Sequence, residues 1–534
     1  MTPTDRDDSG DRMPSGIPFI VVNEFAERFC FYGINAILAI YMTQFLRFGD
    51  ADATTWQSLF KSGAYFFPLI GAIVSDVFWG KFRTIMVFSI SYCAGCTILA
   101  LVPGETGLLL GLALVAFGTG GIKPCVSTNV GDQFTAKNQH LIERAFSYFY
   151  LAINAGSSIS IFFCPVLLNN PDYGPKFAFG MPAIMMFCAT LIFWLGRKKY
   201  AVVAPAGKAW LHDVFSPEGL KTIGGLAIIY LFVAFFWSLW DQSNGQTWTL
   251  QAESSLMDKD LGFGLVLLPA QIQVVNGLFI LALVPVFTFG VYPLVGKFCK
   301  VTPLRKIGAG LFTIASSFLI VSWIESRIQG GHVVSLWWQI LAYVVLTASE
   351  VLVSITALEF SYKQAPLTMK SFIMALFLLS ISVGNLMTAA VNHYMVRPLQ
   401  AVSATTGAQT WVTLTDVSGF VTGQKIDFGG SSGVTTIEST GQSHPLAGTY
   451  LVAHVDEAGR RVELMDVVNR KSVASSGQFD AAKAKVSTYR LVGPQYFNFF
   501  AEMMGVVGLL FVFVAIFYRE KNHVRHEERA QAAV

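Results

Sequence analysis

Three ionisable residues stand close together near the start of the chain, where Glu24, Glu27 and Arg28 lie within an apolar stretch that runs from Ile17 to Leu46. A charge inside a membrane helix costs several kcal/mol, so such residues usually face an aqueous cavity or a charge partner and mark a path for substrate or protons. Glu24 and Arg28 are four residues apart, so in a helix they could also simply neutralise each other. Pairing and transport are compatible, so the three residues mark a candidate path for substrate or protons.

The composition identifies the class of protein that holds these charges. Of 534 residues, 53% are hydrophobic and 13% are charged, a balance too apolar for an ordinary soluble domain. We therefore expect an integral membrane protein surrounded by membrane lipid. A net charge of +3, spread along the chain, offers no basic patch for nucleic acid. The seven cysteines lie in or beside apolar spans, and the residue spacing predicts no disulfide framework, metal or other cofactor.

Apolar segments of about 20 residues, the length that a bilayer requires, recur about twelve times along the chain. They lie near residues 17–46, 55–77, 84–102, 107–127, 143–168, 178–196, 222–246, 266–294, 306–325, 334–360, 370–395 and 494–518. A cytoplasmic linker at 197–221, with a basic run and a proline, separates a first six-helix bundle at 17–196 from helices 7–11 at 222–395. A disordered tail at 1–16 and a second tail at 519–534 complete the predicted organisation.

The short loops indicate the orientation, because lysine and arginine are preferentially retained on the cytoplasmic side. The richer side holds Lys81, Arg83, Lys137, Arg144, Arg197, Lys198, Lys199, Lys297, Lys300, Arg305, Lys306, Lys363 and Lys370. The other side holds chiefly Arg47, Lys176, Lys259 and Arg327. We therefore predict a multi-pass protein of the cell membrane with both termini in the cytoplasm.

One long segment, 396–492, departs from the apolar pattern. It is polar and rich in glycine, and alternating residues from Trp411 to Thr415 and around a turn at 456–459 predict strands and a hairpin. We expect a small extracytoplasmic β domain between helix 11 and helix 12, which follows at 493–518. The segment holds no cluster of acid, base and nucleophile, so a structural or docking module is favoured over an enzyme.

Several motifs in order along the chain resemble the proton-coupled oligopeptide transporter family of the major facilitator superfamily. The first is Glu-x-x-Glu-Arg-Phe, which stands here as Glu24, Glu27, Arg28 and Phe29. The others lie at 71–84, 118–124, 131–134, 149–157, 236–242, 248–251, Glu350 and 358–366. The resemblance covers nearly the whole membrane part. It implies an all-α membrane protein with the major facilitator fold, in which twelve transmembrane helices form two six-helix bundles.

The chain departs from the family at a few positions. Phe31 precedes Tyr32 where members often have two tyrosines, and Asn35 stands where many bacterial members carry a base. Asn35 therefore cannot supply the base of a salt-bridge gate at that height. Animal members have a histidine in the second helix, whereas this chain has none there, and Ser58 stands at the nearest position. Proton coupling by that histidine is therefore excluded. We expect Lys61, one turn further on, to extend its ammonium to the membrane surface.

A short peptide is a zwitterion, so its site must offer a cation to the carboxylate and an anion to the ammonium. Arg28 and Lys123 are the buried cations of the first half, and Glu350 is the isolated acid of the second half. The resemblance implies that Asn154 and Asn276 hold the amine and backbone amides. Tyr32, Tyr65 and Trp248 are expected to line side-chain pockets, and the resemblance implies gating by Asp76, Lys81 and Arg83.

These residues predict a proton-coupled symporter that imports di- and tripeptides by alternating access. One alternative keeps the mechanism and changes the cargo to another small solute such as nitrate, but the acid Glu350 suits an ammonium and repels anions. An alternative of a different class is a membrane receptor with a sensing β domain. A receptor would not need charges deep in so many helices, and no catalytic constellation indicates an enzyme.

Overall fold

A computed structural model of the chain describes residues 12–135, 137–172, 174–201, 203–205, 214–262, 264–364, 370–430, 432–437 and 443–518. The predicted tail at 519–534 lies outside the described residues, as do 1–11 of the first tail and 202 and 206–213 of the linker.

The first half consists of six long helices. They are α1 (Ile17–Ile40, continued by Tyr41–Phe45), α2 (Asp50–Ile73, continued by Val74–Trp79), α3 (Lys81–Leu101), α4 (Gly104–Asp132), α5 (Ile142–Leu168) and α6 (Gly174–Leu195). Glycine allows α2 and α4 to pack closely, since a Cβ on Gly71 would collide with the backbone of Gly120. The buried apolar side chains of these helices form one core.

The second half also has six long helices. They are α7 (Pro217–Ser243, with a short extension at Thr247–Glu253), α8 (Val274–Pro285, continued to Gly296), α9 (Pro303–Gln329), α10 (Trp337–Glu350, continued to Gln364), α11 (Lys370–Met395) and α12 (Pro494–Phe517). Proline occupies the first turn of α7, α9 and α12, where its missing N–H is not needed. A second apolar core fills this half.

Eleven helices of the described chain are long and apolar enough to cross a membrane by length and composition. They correspond to the second to twelfth predicted segments. Helix α1 is outside that set because it carries Glu24, Glu27 and Arg28, yet most of its side chains are buried in the first half. With α1, the bundle has the twelve helices that the sequence predicts.

The described residues between α11 and α12 form a domain of ten strands, and two short strands precede it in the chain. These two short strands, β1 (Met257–Asp258) and β2 (Val334–Ser335), pair in parallel near α9. The domain contains β3 (Val396–Leu399), β4 (Ala401–Thr405), β5 (Trp411–Leu414), β6 (Lys425–Gly430), β7 (Val434–Ile437), β8 (Ser443–Pro445), β9 (Gly448–Asp456), β10 (Arg461–Asp466), β11 (Ala474–Gly477) and β12 (Ala484–Tyr489).

The ten strands make two antiparallel sheets around a separate apolar core. The larger sheet has the order β3-β12-β6-β9-β10-β5-β4, and the smaller has the order β11-β7-β8. The predicted hairpin forms from β9 and β10, with Val462 opposite Val455. We call the end of the helix bundle that carries this domain the β-domain side, and the opposite end, where 197–221 begins, the linker side.

Candidate functional site

The three charges of α1 form one buried group. Arg28 Nε donates a hydrogen bond to Glu24 Oε1 at 2.6 Å, and Glu27 Oε2 lies 3.1 Å from the same nitrogen. Thr119 on α4 donates to Glu27 Oε1 at 3.2 Å. Because Nε carries a single hydrogen, Glu24 takes the hydrogen bond and Glu27 interacts with this nitrogen by charge. The two glutamates are therefore held differently, although both face one cation.

Lys123 on α4 adds a second cation to this group. Its Nζ lies 3.8 Å from the centroid of the Phe31 ring and 3.9 Å from that of Tyr65, a cation–π arrangement. The side chain is 9% exposed, and its Nζ has no hydrogen-bond partner among the described residues. It interacts electrostatically with Arg28, Glu27 and Glu24. An ammonium with uncommitted N–H groups in this position is suited to an anion.

The acid of the second half, Glu350, is held by neutral donors from two other helices. Trp240 Nε1 on α7 donates to Glu350 Oε2 at 3.0 Å, and Asn276 Nδ2 on α8 donates to the same oxygen at 2.9 Å. Asn276 also donates to Thr347 Oγ1 at 3.0 Å, which orients its amide. Both bonds to Glu350 use Oε2, so Oε1 has no hydrogen-bond partner among the described residues and is left for a ligand. Sequence reasoning missed Trp240 because tryptophan in a membrane helix usually serves packing.

Of the remaining predicted binding residues, the two tyrosines lie near the buried charges, whereas Asn154 makes its hydrogen bond within its own helix. Tyr32 interacts electrostatically with both Arg28 and Glu350. The Tyr65 ring contacts the Lys123 ammonium. Asn154 on α5 is half-buried and donates within its own helix, to the carbonyl of Tyr150 at 2.8 Å.

Trp248 is placed elsewhere by the structure. It lies on the extension of α7, is fully buried, and packs against Tyr343 and Phe318 in the core of the second half. The expectation that its ring lines a pocket does not hold for this conformation. A break at 244–246 separates this extension from α7.

The predicted gating residues lie on the linker side. Lys81, at the start of α3, forms an ion pair with Asp132 at the end of α4, both in the first half. Asp76 is half-buried in the last turn before α3, and the Arg83 side chain is exposed. The structure brings these residues to one end of one half, away from the buried charges.

A polar contact zone joins the two halves toward the β-domain side, and its centre is an ion pair. Lys61 on α2 is 1% exposed, and its Nζ lies 3.0 Å from Asp241 Oδ1 on α7. The ammonium also donates to the carbonyls of Asp241 at 3.1 Å and Asn244 at 2.7 Å. Asn385 on α11 donates to Asp241 Oδ2 at 2.7 Å. The expectation that Lys61 reaches the membrane surface is wrong, because an acid on the facing helix satisfies it inside.

Asn35 belongs to the same contact zone. Its Nδ2 donates to the carbonyl of Asn244 at 3.0 Å, and Gln57 on α2 donates to its Oδ1 at 3.0 Å. Asn35 on α1 and Lys61 on α2 thus both donate to the carbonyl of Asn244. The sequence contained a signal for the Lys61–Asp241 pair, namely a base, Lys61, and an acid, Asp241, in apolar helices of different halves.

Comparisons of the sequence with known proteins identify related transporters. Residues 82–216 and 208–412 match the POT family, which is more than half of the chain. The chain is 35% identical over 364 residues to solute carrier family 15 member 2 of Danio rerio, covering 59% of this chain and 50% of that relative. It is 35% identical over 361 residues to peptide transporter family 1 of Drosophila melanogaster, covering 59% and 48%. The chain thus spans about half the length of these curated relatives.

A solved structure of an auto-inhibited POT family peptide transporter superposes with a TM-score of 0.64 and 32% identity, over 71% of this chain and 88% of that one. This similarity confirms the predicted major facilitator fold of two helix bundles. The family match, the helix arrangement and the Glu24–Arg28 group all lead to the same assignment. The chain belongs to the POT family.

Proposed function

We propose that the protein is a proton-coupled symporter that imports di- and tripeptides across the cell membrane by alternating access. The observation that carries this proposal is the division of charge between the halves. The first half offers Arg28 and Lys123, and the second offers Glu350 with no basic ion-pair partner among the described residues. A zwitterion with separated ends is the solute that such an arrangement complements. Relatives named as peptide transporters support the same cargo.

Peptide recognition follows from the uncommitted atoms. The peptide carboxylate would bind Lys123 Nζ and the terminal nitrogens of Arg28, whose guanidinium presents a planar fork. The peptide ammonium would bind Glu350 Oε1, while Asn276 and Trp240 hold Oε2 in place. Tyr32, between the two charge groups, would contact the peptide backbone or side chains, and Asn154 and Tyr65 would complete the site.

Proton coupling follows from the competition for Arg28. While Glu24 is ionised, its 2.6 Å hydrogen bond holds Arg28 against α1. Protonation of Glu24 or Glu27 removes one negative charge and weakens that hold, which releases Arg28 toward the peptide carboxylate. Proton and peptide then bind cooperatively, and each increases affinity for the other.

Alternating access requires the two halves to separate on each side in turn. We assign the β-domain side to the outside and both termini to the cytoplasm, since basic residues are enriched in the linker-side loops. The Lys61–Asp241 pair then closes the outer end of the path. The Lys81–Asp132 pair, with Asp76 and Arg83, belongs to the inner gate.

Proteoliposomes with an imposed pH gradient test this function. We expect uptake of labelled dialanine when the outside is more acidic, and loss of accumulation when a protonophore collapses the gradient. Labelled nitrate in matched vesicles tests the alternative cargo. Accumulation of nitrate without dialanine would contradict the peptide assignment, and accumulation of neither would contradict the transport function in general.

A further inference from the structure

The β domain is attached by both ends to the second half. Strand β3 follows α11 directly, and a short connection joins β12 to α12, where Arg490 N donates to the carbonyl of Met395 at 2.8 Å. The turn after β10 adds a contact, because Ser255 N, just after the extension of α7, donates to the carbonyl of Val468 at 3.0 Å. Gly423 lies against Gln329 at the end of α9, where a larger residue would be in close contact. The domain therefore belongs to the second half by chain connection and by packing.

The same domain also binds the first half, at the start of α2. Lys425 Nζ on β6 lies 2.6 Å from Asp50 Oδ2, and the two side chains are 30% and 16% exposed. Thr449 Oγ1 on β9 accepts a hydrogen bond from Asp50 N at 2.8 Å. Tyr489 Oη on β12 accepts one from Ala51 N at 3.2 Å. Three strands of the domain thus converge on one helix terminus.

These contacts replace the N-cap that α2 lacks. The first N–H groups of a helix have no partner within the helix and need an outside acceptor. Gly49 stands at the N-cap position and has no side chain to supply one. Thr449 and Tyr489 supply the acceptors instead, from about four hundred residues away in the chain. The end of α2 is therefore complete only while the β domain is docked.

Asp427 on β6 lies beneath this junction. It is 8% exposed and accepts a hydrogen bond from Tyr489 through Oδ2, while Oδ1 has no partner among the described residues. A Cβ added to Gly49 would overlap the Asp427 carboxylate, so the backbone of Gly49 lies directly against this side chain.

Helix α2 lies at the interface that must open. Along its length it packs against α11 of the other half, where Asn392 donates to Thr54 at 3.0 Å and Ser62 and Ser382 lie 3.0 Å apart. A body bound to both halves on one side cannot keep both contacts while the halves separate there.

We propose that the β domain is a latch, which holds the two halves together on its own side and must release the start of α2 before that side opens. This inference rests on the proposed alternating-access function. The latch contacts are Asp50 and Ala51 on α2 with Lys425, Thr449 and Tyr489 on the domain. When the domain is docked, the outer end is closed. When it is released, α2 is free to move with the first half.

A reversible crosslink tests the latch. A Cβ on Gly49 lies 3.2 Å from Asp427 Cβ, close to the separation of about 3.5–4.5 Å in disulfides. The double variant Gly49→Cys with Asp427→Cys should therefore crosslink under mild oxidation. We expect dialanine uptake by the oxidised variant to fall to that of empty vesicles and to return on reduction. The two single variants, treated with the same oxidant, control for the native cysteines and for loss of Asp427.

Two results would overturn the latch. One is that fully crosslinked protein takes up dialanine as fast as the same variant after reduction of the disulfide. The other is that the two cysteines do not crosslink. Neither result contradicts the proposed transport function, which is supported if the two single variants take up dialanine. A second measurement does not depend on cysteines at the junction. Replacing 398–491 with a Gly/Ser linker should preserve uptake and raise maleimide labelling of Ser62→Cys from the β-domain side. Equal labelling with and without the domain, in protein that elutes as a single folded species, would also overturn the latch.

Discussion

The two halves hold their buried charges in different ways. In the first half two glutamates share Arg28, and the hydrogen bond at 2.6 Å goes to Glu24. In the second half Glu350 meets neutral donors, among them the indole of Trp240 at 3.0 Å. A group that shares one cation between two acids changes its pairing when a proton binds, whereas an acid held by neutral donors keeps its position. We infer that the first half responds to the proton and the second presents a constant acid to the peptide.

The largest effect is expected at the constant acid. Glu350→Gln keeps the size of the side chain and removes its charge, so the peptide ammonium loses its partner. Losing one member of a buried charge pair costs about 3 kcal/mol, and initial dialanine uptake should therefore fall by about a hundredfold. Glu502→Gln, an exposed acid on α12, is the matched control and should transport like the parent. Normal uptake by Glu350→Gln would remove the second half from amine recognition.

Glu24→Gln should separate coupling from binding. The neutral amide leaves Arg28 free, so peptide exchange between the two sides should persist without a gradient. Accumulation driven by a pH gradient should fall by about tenfold, within the range of typical coupling energies. Glu27→Gln should have a smaller effect, because Glu27 does not receive the Nε hydrogen bond and is also held by Thr119. If both variants accumulate dialanine as well as the parent does, Glu350 becomes the candidate for the proton.

Trp240→Phe sharpens the comparison by removing one neutral donor while keeping an aromatic ring. Hydrogen bonds to a charged group contribute about 1.5–3 kcal/mol, so the KM for dialanine should rise by about tenfold with little change in kcat. Trp237→Phe is the control, since Trp237 Nε1 has no hydrogen-bond partner among the described residues. A larger KM change in the control would mean that ring volume, rather than the bond to Glu350, matters.

The smallest effect concerns Asp427, a buried acid of the β domain. We predict that docking of this domain on α2 depends on pH through Asp427. Burial raises the pKa of Asp427 to about 7, and Asp50 acts in the same direction; Tyr489, Thr449 and Lys425 oppose it. Undocking removes the α2 side of this environment, including Asp50, so the pKa of an undocked Asp427 would be lower. Because the pKa is higher in the docked state, docking weakens as the pH rises through about 7.

Hydrogen–deuterium exchange can follow this docking directly. The amides of Asp50 and Ala51 are bound to the β domain, so the peptide covering 47–55 should exchange faster at about pH 8 than at about pH 5, after correction for intrinsic exchange. Asp427→Asn should make the corrected exchange independent of pH over this range, and Asp480→Asn, on a distant turn, should not. An unchanged pH dependence in Asp427→Asn would assign the effect to another group.

The membrane part illustrates how far the sequence leads. Bilayer thickness sets the helix length, and a backbone in lipid must satisfy its own hydrogen bonds, so apolar runs of about 20 residues predict spanning helices. The pairing of Glu24 with Arg28 was also predictable, because residues four apart share one face of a helix. The β9–β10 hairpin is local in the same sense, since a short turn joins its strands.

The tertiary structure decided the contacts between residues distant in the chain. Sequence alone predicted Lys61 at the membrane surface and Trp248 in a pocket, whereas packing places Lys61 on Asp241 and buries Trp248 in the core. Helix periodicity specifies which face a side chain occupies, but the neighbour on that face depends on how the helices pack and rotate. The same holds for the β domain: its strands follow from local pattern, while its contact with the start of α2 exists only because the fold brings both to one end of the bundle.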